Sequence, residues 1–155
     1  MHRRLALSLV VSALAAVSVS APAFAAERGT KEEAIKMVNT AFDHIKKVGE
    51  AKAFDDFTKD KTHWVKKDLY VFVLDNSGAF LAHGANEKLL GRDMSNMKDA
   101  NGKAIFPAMQ EVVAKGSGWV DYDWAHPQSK KVEGKTSYLR KTPDGKALIG
   151  VGVYR

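Results

Sequence analysis

The chain has 155 residues, no cysteine, and 24 Lys and Arg against 18 Asp and Glu, a formal net charge of +6. Without cysteine there is no disulfide, no thiolate nucleophile and no cysteine-based metal or haem attachment. The lysines are interleaved with acidic residues along the chain, so the modest basic excess leaves no nucleic-acid footprint.

The first 25 residues have their own logic. His2, Arg3 and Arg4 give a basic start, Leu5 to Val19 form an apolar run broken only by serines, and Ala23-Phe24-Ala25 reads as an A-x-A cleavage site. This layout predicts a signal peptide over residues 1–25. The run is shorter than the roughly 20 residues of a spanning helix, and no Cys follows it for lipid attachment. The expected product, residues 26–155, is one exported domain without membrane insertion, and the periplasm is its expected location.

Thr30 and Glu33 form a capping-box pattern that starts a helix. Ala34, Ile35, Val38, Ala41, Phe42, Ile45 and Val48 follow at helical spacing. Gly49 kinks or ends this helix, and Ala53, Phe54 and Phe57 continue the stripe to about Lys61. Leu69 to Leu74 is a continuous apolar run, as in a strand covered on both faces. Asp75-Asn76-Ser77-Gly78 is a turn signal, and Ala79 to His83 returns as a second strand. Gly84 to Asn101 is polar and irregular, and Ala104 to Lys115 reads as a helix. Three strands follow: Trp119 to Ala125, Lys135 to Thr142, and Ala147 to Tyr154. Pro127 to Gly134 and Pro143-Asp144-Gly145 are their connections. The predicted class is α+β: a long N-terminal helix and a five-stranded, mostly antiparallel sheet with one internal crossing helix.

Most familiar chemistry is missing. Gly134-Lys135-Thr136 ends like a phosphate loop, but Ser129 stands where the leading glycine belongs. His44, His63, His83 and His126 do not fall at metal-ligand spacing, so no metal or cofactor is expected. The Asp75 and Asp99 turns lack the alternating acids of a calcium loop. Asp121 and Asp123 share one strand face, which is the pattern of a solvated edge. A hydrolase would need a pair such as His83 with Ser137. The expected chain is therefore a binding protein rather than an enzyme.

Gly150 and Gly152 share a strand face with Leu148 and Tyr154. Two glycines on one face predict either free volume above the sheet or a closely packed helix. Tyr70, His83, Tyr122, Trp124, Lys135 and Tyr138 lie on neighbouring strands. A lysine among aromatic walls suits a small carboxylate: the charge anchors it and the rings bury its apolar part.

Several phrases resemble one family in order and spacing. Asp68 to Asp75 followed by Phe80-Leu81-Ala82-His83 is similar to the first hairpin of single Cache domains. Leu90-Gly91-Arg92-Asp93 resembles the loop after it, and Lys98 to Lys103 resembles the lead into the internal helix. Gly118 to Trp124, Lys135 to Tyr138 and Ile149 to Tyr154 are similar to the last three strands. The resemblance spans about Thr30 to Tyr154. It implies a PAS-like sheet with a long N-terminal helix, in an extracytoplasmic sensor domain of the kind found in chemoreceptors and sensor kinases, many of which bind small organic acids. It further implies a pocket bordered by Lys135, His83, Trp124, Tyr138 and Tyr70. Gly84 replaces the proline that usually follows the histidine, and the flanking membrane helices and cytoplasmic module of the family are not expected in this chain. The expected function is a free-standing periplasmic module that binds a small carboxylate and passes its occupancy to a membrane sensor kinase, chemoreceptor or transporter. The alternative is an interaction module without a small ligand, acting through homodimerisation or docking.

Overall fold

The computed structural model describes residues 27–155; the expected signal peptide over residues 1–25 lies outside them. Helix α1, Lys31–Val48, starts at the capping box read from the sequence. The Glu33 amide donates to Thr30 Oγ1 at 3.2 Å, and the Thr30 amide donates to Glu33 Oε2 at 3.0 Å. Gly49, at φ 85°, ends α1 and starts α2, Glu50–Lys59, so the stripe is two helices rather than one. A short α3, Lys61–Trp64, leads into the sheet.

The sheet has six strands: β1 Val65–Lys66, β2 Leu69–Asp75, β3 Phe80–His83, β4 Ser117–Ala125, β5 Val132–Lys141 and β6 Ala147–Tyr154. Their order is β1-β2-β6-β5-β4, with β3 also on β2, and every pairing is antiparallel. The extra strand relative to the expected five is the two-residue β1, folded back on Leu69 and Tyr70 through Lys67 at φ 59°. The other difference is at β5, which begins at Val132 and not at Lys135. The β4–β5 connection is only a tight turn, closed by the His126 amide on the Lys131 carbonyl at 2.8 Å. The strands keep pairing out to Ala125 opposite Val132.

Each face of the sheet carries a layer. Ala34, Val38, Ala41, Ile45 and Phe57 from α1 and α2 pack on Val71, Val73, Ile149, Val151 and Val153. Helix α4, Ile105–Ala114, and the segment before it cover the other face, packing Met94, Ile105 and Met109 on Phe72, Leu74, Leu139 and Leu148. β2 and β6 are therefore buried on both sides, which is why both read as unbroken apolar runs. Each such side chain contributes about 1.5–3 kcal/mol of burial. The site lies under α4.

Candidate functional site

Alternation along β5 turns Lys135, Ser137 and Leu139 toward α4. Lys135 is only 1% exposed, unusual for an ammonium. It fits because Gly152 lies opposite on β6: a Cβ there would stand 2.2 Å from Lys135 Cε and 2.4 Å from Ser137 Oγ. A Cβ at Gly150 would stand 2.2 Å from Phe72 Cζ. The volume left by the two glycines is filled from the sheet itself, by the lysine stem and a phenylalanine ring.

The Lys135 ammonium lies 4.3 Å from the ring centre of Tyr70, 5.1 Å from Tyr154, 5.3 Å from Phe72 and 5.9 Å from Tyr122. Its Nζ donates to Tyr70 Oη at 2.8 Å, and no carboxylate among the described residues forms an ion pair with it. Burial pushes its pKa down to about 7, against a small opposing pull from Asp68. The proton order around it is fixed. Tyr154 donates its one hydroxyl proton to the Ala125 carbonyl at 2.8 Å, so Tyr70 donates to Tyr154 at 3.2 Å and accepts from Lys135. Burial raises the pKa of Tyr70, Tyr122 and Tyr154, so all three remain neutral phenols.

His83, at the end of β3, is 2% exposed. Its Nδ1 accepts the amides of Asn86 at 3.0 Å and Ala85 at 3.3 Å, so the neutral ring carries its proton on Nε2. Burial, and then the nearby positive charges of Lys135 and Lys61, lowers its pKa to about 3. Trp124, near the end of β4, lies beside Tyr122 and Phe80. His83, Trp124 and Lys135 line an inner cavity of about 10 Å³ with Phe72, Met94 and Met109. On the other side of His83 and Trp124 lies an outer cavity of about 200 Å³, which Tyr70, His126 and Lys130 also line. The fixed polar groups at the inner cavity, Lys135 N–H and His83 Nε2–H, are donors. Two N–H donors within apolar walls suit a group that accepts, as a carboxylate does.

Four of the five expected residues, Lys135, His83, Trp124 and Tyr70, come together here. Tyr138 does not. It lies three residues from Lys135, so the strand turns it to the opposite face, against the α1 layer, with its ring 5.3 Å from Trp119 and its hydroxyl on Ser117 Oγ at 3.1 Å. Tyr122 and Tyr154 belong in its place, since the register sets both directly opposite Lys135. Ser137 is hydrogen-bonded to Tyr122 Oη at 2.9 Å, and the Nδ1 of His83 is taken by backbone amides, so the two form no nucleophile–base pair.

A second buried cluster closes the far side. Asp68, fully buried, accepts the Gly29 amide at 2.7 Å and His126 Nε2 at 3.3 Å. His126 Nδ1 accepts the Gln128 and Ser129 amides, both at 3.3 Å, and its ring lies 4.7 Å from that of Tyr154. The start of α1 is thus fastened to the turn that follows Trp124.

An antiparallel sheet with a helical layer on each face and a small cavity beneath α4 is a PAS-like architecture. The chain belongs to the single Cache domain 2 family, whose model matches residues 6–155. It is 33% identical over 88 residues to the methyl-accepting chemotaxis protein McpP of Pseudomonas putida, a match covering 56% of this chain and 16% of that receptor. The chain thus spans about a sixth of that relative's length. Its fold is similar to that of a methyl-accepting chemotaxis protein from Vibrio parahaemolyticus, with a TM-score of 0.69 and 22% identity over 80% of this chain and 87% of that one. It is also similar to a Cache chemosensory domain described for carboxylic acid recognition, with a TM-score of 0.66 and 28% identity over 79% and 91% of the two chains. No helix among the described residues is long and apolar enough to cross a membrane.

Proposed function

We propose that this protein is a periplasmic binding module, without catalytic activity, for a short monocarboxylate, and that it passes its occupancy to a membrane partner of the chemoreceptor or sensor-kinase kind. The observation that carries this reading is Lys135: a buried amine with a phenol for its hydrogen-bond acceptor and no acidic partner among the described residues. Holding it charged is costly until an anion meets it. The Cache chemosensory relative described for carboxylic acid recognition supports the same ligand class. The cavity sets the size. It holds about one water where Lys135 and His83 meet, so the ligand is small and enters from the outer cavity by displacing Trp124 or the flexible Met94 and Met109. The predicted signal peptide supports the location.

A thermal-shift series with acetate, propionate, pyruvate and butyrate tests the reading. Ligand at a hundredfold excess over its dissociation constant adds about 2.7 kcal/mol. For a domain of this size that raises the melting temperature by several degrees. The smallness of the inner cavity favours a second reading, an interaction or dimerisation module. A flat response across the acid series, together with a dimer in sedimentation, selects it.

A further inference from the structure

We propose that the site takes up its carboxylate together with one proton, so that what it recognises is the whole acid, held as an ammonium–carboxylate pair on Lys135. The inference rests on the carboxylate reading above and adds its proton balance.

The geometry around Lys135 carries it. The side chain is 1% exposed, its stem passes over Gly152, and four aromatic rings surround the nitrogen. The groups that face it from each packed element are neutral or already engaged. From β2 comes Tyr70, which accepts its hydrogen bond. β4 contributes Tyr122, bonded to Ser137, and β6 contributes Tyr154, bonded to Ala125. β3 contributes His83, whose pKa is about 3, and behind it Lys61 is bonded to the carbonyls of Thr58 and Gly84. The carboxylate nearest in effect, Asp68, is held by the Gly29 amide and His126. An isolated buried ammonium sheds its proton rather than stay charged. The empty site is therefore neutral near and above pH 7, in keeping with a Lys135 pKa of about 7.

An anion entering that neutral site lacks a counter-charge unless a proton comes with it. Above neutral pH the balanced step is protein plus carboxylate plus H⁺, giving protein with Lys135–NH₃⁺ paired to the carboxylate. Below pH 7 Lys135 already holds the proton, and none is taken up.

Titration calorimetry of the purified protein with acetate, repeated in buffers of contrasting ionisation heat, reads the proton count directly. With a free-site pKa of about 7, uptake is about 0.1 proton at pH 6, 0.5 at pH 7 and 0.9 at pH 8. The apparent dissociation constant weakens about fiftyfold between pH 7 and pH 9. The uptake persists in His126→Asn, which keeps a donor toward Asp68. Lys135→Arg, with a fixed charge, loses the pH slope wherever it binds. Acetate binding with less than about 0.2 proton taken up at pH 8 overturns the proposal while leaving the carboxylate reading intact. So does uptake that vanishes in His126→Asn. If acetate, propionate and pyruvate give neither heat nor thermal shift at any pH, the carboxylate reading falls, and the inference with it.

Discussion

Replacing Gly152 with Ala tests the geometry on which the site depends. The new Cβ would lie 2.2 Å from Lys135 Cε, 2.9 Å from its Cγ and 2.4 Å from Ser137 Oγ. The backbone has little room to give, because Gly152 pairs with Ser137 in the ladder between β5 and β6. The lysine must therefore leave its place above the strand, and the Ser137 hydroxyl must break from Tyr122. Overpacking of this kind costs about 1–3 kcal/mol. At about 3–5 °C per kcal/mol for a domain of this length, the melting temperature falls by roughly 3–15 °C. The informative measurement is a double-mutant cycle by urea denaturation, with Gly152→Ala, Lys135→Ala and the pair together. Truncating the lysine removes its share of the clash and leaves only that with the Ser137 hydroxyl, so the double mutant should be less destabilised than the sum of the two single changes, with a coupling of about 1 kcal/mol. Additivity within about 0.5 kcal/mol would mean that Lys135 does not lie over Gly152, and the site as described would be wrong.

Lys135→Ala on its own should weaken acetate binding about tenfold to a hundredfold, since charge-assisted hydrogen bonds are worth about 1.5–3 kcal/mol each. Below about pH 6, where Lys135 is charged, the melting temperature of the unliganded variant should hold or rise, because an unpaired buried cation has gone; a clear fall with unchanged affinity would make Lys135 structural. Asp68→Ala should cost about 2–5 kcal/mol in urea denaturation, since it orphans both the Gly29 amide and His126 Nε2; a loss under about 1 kcal/mol would deny it the clamp role. Glu33 is held down to about pKa 2, first by the Thr30 amide and then by Lys66 and Lys67. Its folded value lies below its unfolded one, so its contribution is present above about pH 4.5 and is lost as pH falls toward 2. Acid titration of stability should therefore be shallower in Glu33→Gln over that window, and superimposable curves would refute this.

The elements legible in the sequence are those whose causes are local. The Thr30–Glu33 capping box, the Gly49 break and the Asp75 turn each act within a few residues, and each forms where its residues predict. β2 and β6 were readable because burial on both faces leaves unbroken apolar runs. The start of β5 was not, because Val132 is 64% exposed there and Gly134 makes room for the Arg155 guanidinium rather than for a turn. The strand at that end is held by pairing with β4, not by burial, and pairing leaves no mark in hydrophobicity. Tyr138 comes from the family resemblance, whereas the face on which a strand side chain stands is governed by parity. Counting in twos from Lys135, and across the register, reaches Tyr122 and Tyr154 instead. The Asp68–His126 pair stayed hidden for another reason: its members are 58 residues apart, and each looks like an ordinary turn residue until the fold buries both.

The same contacts make Lys135 costly in the empty protein and selective in the filled one. A carboxylate side chain beside it would stabilise the empty fold, but it would also occupy the partner position that a ligand is to take. The two glycines serve the same end from below. They forgo side-chain burial on β6 so that the lysine stem and the Phe72 ring pack into the sheet instead of standing in the cavity. The opposite face of the sheet carries its own apolar cluster under the α1–α2 layer, with polar contacts such as Arg140 to Asn39 Oδ1 at 2.8 Å beside it. That division leaves one face of the sheet free to hold a site that is incomplete by itself, and ligand binding then appears as added stability by mass action, the property a sensor has to transmit.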